Sequence, residues 1–218
     1  MPAAVLGDGD PLAPIFFLSY HRGEGSDLAE ARDTDEFVLR LFNDLIDQLN
    51  PLVARRPGAE YGFIDRGMRG GDRWAPSLMD ALGRCQVFVA LTSAPYFESE
   101  FCGKEWHGFS GRAIVRSNQG TMRFDSAIIP VVWAPNYSGW VPKVADRIQR
   151  FTPGPGFPEP QYLERGVHGL LATSKEEAYK EVVWRLARRI ANTFYACRVE
   201  SRELDDRKLR NVFQEEVP

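Results

Sequence analysis

Short unbroken apolar runs recur along the chain, and between them apolar residues return every three or four positions. Ile15-Phe16-Phe17-Leu18, ending in Ser19-Tyr20, has the character of a strand buried on both faces, as in a parallel sheet. Residues 60–65 (EYGFID), Gln86–Leu91 and Ala127–Trp133 repeat that character, and Val167–Thr173 suits a fifth strand at an edge. Phe37, Leu41, Leu45 and Leu49 form the stripe of a helix that Thr34 caps and Pro51 closes. Trp74–Leu82 and Lys143–Gln149 predict short helices, and Pro95–Ser99 leads into a helix carrying Cys102, Glu105, Trp106 and Phe109. Ser174-Lys175-Glu176-Glu177 reads as a capping box opening a helix with Val182, Val183, Leu186, Ile190 and Phe194 on one face. Strands alternating with helices predict an α/β protein, a flavodoxin-like doubly wound sheet of five parallel strands with a C-terminal helical extension. In such sheets ligands gather at the C-terminal ends of the strands.

The 218 residues divide into a loose Pro/Gly/Ala-rich leader (1–13), the α/β unit (14–195) and a charged tail (196–218), which suits a solvated helix or a docking segment for a sensor or partner protein. A hydrophobic fraction of 44% with 26% charged residues is that of a globular chain rather than a disordered one. A formal charge of −3 argues against nucleic-acid binding, and no apolar run is long enough for a membrane span. Three cysteines without a C-x-x-C pair fit a reducing cytoplasm and offer no metal cage.

Phosphate-loop, dinucleotide-fingerprint and nucleophile-elbow patterns are all missing, and His21, His107 and His168 lie too far apart in sequence to suggest a triad or a zinc site. The segment Ser99-Glu100-Phe101-Cys102-Gly103-Lys104-Glu105-Trp106 carries more information. On a helix, Cys102 and Glu105 share a face beside Trp106. A carboxylate in such apolar company is costly to bury unless it is paired, hydrogen-bonded or functional; the plain alternative is that Glu105 points to solvent. Cys102 is read either as a nucleophile or, more simply, as a small buried hydrophobe.

Phe17-Leu18-Ser19-Tyr20-His21-Arg22-Gly23-Glu24 resembles the first signature box of TIR domains (Toll/interleukin-1 receptor/resistance protein). Phe63-Ile64-Asp65, followed by Gly71-Asp72, Pro76-Ser77-Leu78 and Ala81-Leu82, resembles the second box. Ser99-x-Phe101-Cys102-x-x-Glu105-Trp106 is similar to the family's S-x-W-C-x-x-E helix, with Phe101 in place of the usual tryptophan and Arg66 in place of a second acid after Asp65. Bacterial TIR-like proteins, including the FxsC type, share this flavour of the three strings.

The resemblance implies cleavage of NAD⁺ at the nicotinamide–ribose bond, giving nicotinamide with ADP-ribose or a cyclic isomer. NAD⁺ would be a substrate, with no cofactor and no metal. Glu105 matches the catalytic glutamate, and Tyr20, Arg22, Asp65, Arg66, Trp74, Ser99 and Cys102 are the implied substrate-binding set. Tyr20 would stack on a base ring and Arg22 would bind phosphate. Arg66, Gly67, Met68, Arg69, Gly70, Gly71, Asp72 and Arg73 match the family's BB loop, which implies head-to-tail self-association into filaments and activation by assembly. Bacterial antiphage defence is the implied setting. Two other readings stay open: a catalytically silent adaptor that recruits or polymerises with a partner, and an enzyme resembling nucleoside deoxyribosyltransferases.

Overall fold

In the computed structural model, which describes residues 10, 12–22, 28–55, 58–65, 76–116 and 126–214, every second residue of the central strands faces a different helical layer. Strands β1 (Phe16–Tyr20), β2 (Gly62–Ile64), β3 (Val87–Thr92) and β5 (Ile128–Val132) form a parallel sheet of order β2-β1-β3-β5. Phe17 stands opposite Phe63 on one side and Phe88 on the other. Their rings stack at 5.5 and 5.7 Å, so the aromatic row crosses three strands.

Phe16, Leu18, Val87, Val89, Leu91, Ile129 and Val131 pack against helices α1 (Leu28–Leu49), α6 (Glu159–Ala172) and α7 (Glu176–Ala196). Phe17, Phe88, Ala90 and Ile128 turn the other way, toward α2 (Pro76–Arg84), α3 (Ala94–Glu98) and α4 (Glu100–Ser110). The helix α5 (Lys143–Asp146) adds Ala145 to this second layer. A sheet apolar on both faces must be covered on both. The result is an α/β protein compatible with a flavodoxin-like fold. Among the described residues, no helix is long and apolar enough to cross a membrane.

Four expectations change. The parallel sheet has four strands among the described residues, because Val167–Thr173 belongs to α6 and its C-cap. Gly166, at φ +65°, kinks that helix where a Cβ would lie 2.4 Å from the Trp133 carbonyl oxygen. Thr34 lies inside α1, which begins at Leu28. Ser174 does not cap α7. It sits at φ +52°, its N–H donates to the Leu171 carbonyl and that of Lys175 to the Leu170 carbonyl, which is a Schellman close to α6.

The fourth change concerns the tail, whose described residues form an extended strap rather than a helical extension. β6 (Cys197–Val199) pairs antiparallel with β4 (Ile114–Arg116), and a single 3₁₀ turn follows at Asp206–Lys208. Arg112, buried, donates to the Leu82 carbonyl at 2.8 Å and the Glu200 carbonyl at 3.0 Å, tying the strap to the C-terminal end of α2. Phe213 is fully buried against Tyr96, Phe97 and Trp106, at ring separations of 5.6 to 5.7 Å. At the other end, Asp10 of the expected leader pairs with Arg84 at 2.5 Å.

Because Phe213 fills the layer behind α3 and α4, Phe213→Ala should destabilise the fold by about 3–5 kcal/mol. Urea unfolding would measure this; a loss below about 1 kcal/mol would show the strap to be peripheral.

Candidate active site

Ser19 shares the face of Phe17 on β1, so the alternation that buries the phenylalanine aims the serine hydroxyl at α4. The phase of α4 is set at its start. Ser99, extended at φ −74° and ψ 120°, accepts a hydrogen bond on its Oγ from the Cys102 N–H at 3.3 Å. From there Cys102, Glu105, Trp106 and Phe109 fall on one buried stripe. Glu105 is thus carried inward, not to solvent, and retains 8% of its exposure.

The Ser19 hydroxyl donates to Glu105 Oε2 at 2.5 Å, and the Tyr96 hydroxyl lies 3.0 Å from Ser19 Oγ. Ser19 has one proton and spends it on Glu105, so Tyr96 donates to Ser19. The relay therefore runs from Tyr96 through Ser19 to the carboxyl group. Burial pushes the Glu105 carboxyl up to about 8; the Ser19 bond pulls it back, Asp65 raises it and Arg22 lowers it. At neutral pH the group is largely protonated.

The ends of β1 and β2 meet beside it. The Arg22 guanidinium pairs with the Asp65 carboxylate at 3.4 Å and also donates to the Asp65 backbone carbonyl. Its Nε donates to the Tyr20 hydroxyl at 3.1 Å, which in turn donates to the Asp65 carbonyl at 3.3 Å. The guanidinium also lies 5.6 Å from the centre of the Tyr20 ring. Glu105, Ser19, Tyr20, Arg22 and Asp65 thus gather at the C-terminal edge of the sheet. The chain leaves β1 for β2 on one side and crosses to β3 on the other, so this is the topological switch point where open α/β sheets hold ligands.

Comparison of the chain with protein-family models and with curated proteins finds no match.

The remaining expected residues divide. Ser99 serves as a helix cap. Cys102 is buried, and burial together with the nearby Glu105 raises its thiol pKa, the opposite of what an activated nucleophile needs. Arg66, Gly67, Met68, Arg69, Gly70, Gly71, Asp72, Arg73 and Trp74 lie outside the described residues. Ser19 and Tyr96, which complete the relay, were missed as site residues. The parity of Ser19 with Phe17 was a usable signal, whereas nothing around Tyr96 distinguishes its hydroxyl from that of any core tyrosine.

Glu105→Gln keeps an acceptor for Ser19 and removes the titration. Between the ordinary value of 4.5 and about 8, the unfolded chain has released a proton that the folded chain retains. Each pH unit in that window therefore costs the folded protein about 1.4 kcal/mol; the penalty is absent below it and complete above it. The stability advantage of Glu105→Gln should grow by a few kcal/mol, in order of magnitude, from pH 5 to pH 8. Denaturant unfolding of both proteins across that range checks it, and a gap that does not vary with pH would refute it.

Proposed function

We propose that this chain is a TIR-like NAD⁺ glycohydrolase or cyclase with Glu105 as its catalytic carboxylate. The observation that carries the proposal is a buried carboxyl group, hydrogen-bonded by Ser19, at the switch point of a parallel sheet. The three signature strings of the TIR resemblance converge there: Ser19 and Tyr20 from the first, Asp65 from the second, Glu105 from the third.

The chemistry suits one carboxylate. Nicotinamide leaves NAD⁺ as a neutral molecule from a cationic pyridinium, so its departure needs no proton donor. Positive charge develops on the ribose, and a carboxylate held in a site of low dielectric stabilises it. The free protein holds Glu105 largely neutral at pH 7, and an arriving cationic nicotinamide riboside favours its ionised form. Substrate binding therefore releases a proton. Tyr20 offers a ring for stacking, while the Arg22–Asp65 pair must open if Arg22 is to hold a phosphate. Self-association through residues 66–73, activation by assembly, a cytoplasmic setting and a role in antiphage defence follow from the same resemblance.

Nicotinamide release from NAD⁺, followed by chromatography at high protein concentration or with a crowding agent, tests the proposal. Glu105→Ala should reduce the rate at least about 100-fold, by analogy with the loss of one electrostatic group. The wild-type kcat/KM should rise with pH toward a plateau above about 8, where the free enzyme has lost the Glu105 proton. Ser19→Ala removes a bond that favours the charged form and should shift that rise to higher pH. No turnover under any assembling condition, or an undiminished rate in Glu105→Ala, would overturn the reading.

One observation favours the silent adaptor: Glu105 is enclosed and hydrogen-bonded, and Arg22 is already paired with Asp65. That reading predicts that Glu105→Gln leaves the cellular phenotype intact. It also predicts that charge reversal at exposed Glu203 and Lys208 of the strap abolishes partner capture.

A further inference from the structure

A second concentration of charge lies away from Glu105. Between the edge strand β5, the segment 149–153 and α7 is a cavity of about 350 Å³, lined among the described residues by four arginines (Arg150, Arg185, Arg188 and Arg189) and a single acid, Glu181. The Phe151 N–H donates to the Pro130 carbonyl at 2.7 Å, so this segment runs along the edge of β5 and places Arg150 at the cavity that α7 also lines. Arg185 is fixed in place: its Nε donates to Glu181 at 2.6 Å and a terminal nitrogen donates to the Pro153 carbonyl at 2.6 Å. Arg189 is half-buried, and burial lowers its pKa.

A chain of net charge −3 thus gathers four arginines and one acid, among the described residues, around one small cavity. Guanidinium groups do not give up their protons at any pH the protein meets, so their mutual repulsion is permanent and a counter-charge relieves it. The volume falls within the range of small-ligand sites. Arginine forks match phosphate oxygens in pairs, and several of them around one cavity fit more than one phosphate.

We propose that the cavity between β5 and α7 is a binding site for the diphosphate group of a small phosphorylated molecule. The site is independent of the Glu105 network and of the function proposed for it. Arg185, pinned by Glu181 and Pro153, presents a pre-oriented guanidinium, while Arg150 and Arg188, both exposed, close on the ligand from opposite walls.

Calorimetric titration of the full chain at low salt with inorganic pyrophosphate, ADP and adenosine tests this. Pyrophosphate and ADP should bind and adenosine should not. The double variant Arg150→Ala/Arg188→Ala, whose exposed side chains can be removed without opening the core, should weaken binding at least tenfold at an unchanged melting temperature. Glu105→Ala should leave pyrophosphate binding intact. Tighter binding of ADP than of pyrophosphate would identify a nucleotide as the ligand, and equal affinity would identify the diphosphate itself; both support the site. Lack of binding by both phosphates, or affinity unchanged in the double variant, would overturn it.

Discussion

The hydrogen bond from Ser19 to Glu105 is the constraint on which the candidate site depends. A carboxyl group with 8% of its exposure left has few ways to be tolerated, since an ionised one loses its hydration and an unpaired neutral one loses its partners. Here the group is held largely neutral and its Oε2 is satisfied by a serine that is in turn satisfied by Tyr96. The arrangement keeps a potential negative charge in reserve. Any cation that reaches it calls that charge out, with the release of a proton.

Several remote features serve this one contact. Ser99 sets the rotation of α4, and hence which of its residues face the sheet. The Phe17–Phe63–Phe88 row fixes β1 so that Ser19 points at that helix. Phe213, brought back by the strap from the far end of the chain, closes the aromatic layer around Tyr96 and Trp106. Burial of Glu105 beside that layer is what raises the carboxyl pKa.

What could be read in the sequence depended on how local the determining contacts are. The four apolar runs of the parallel sheet are local and strong, and each was found where the strand lies. The placement of Glu105 beside Cys102 and Trp106 followed from helical spacing alone. The pairing of Glu105 with Ser19 joins positions 86 apart and leaves no periodic trace. Val167–Thr173 misled because an apolar run this short fits a buried helix as well as a strand. The strap misled for another reason: Leu204, Leu209, Val212 and Phe213 fall at no regular spacing, since each fills a different niche on α2, α3 and α4. At Ser174, two carbonyls at the end of α6 outcompeted the capping box, a choice that propensity alone does not decide.

The central claim is that Glu105 is held neutral at physiological pH by burial and released only when a positive charge arrives. Carbon-13 NMR of the side-chain carboxyl groups, with Glu105→Gln used to assign the resonance, follows its titration directly. The expected midpoint in the free protein is near 8. A midpoint at the ordinary value of 4.5 would contradict the burial of a neutral carboxyl at this site.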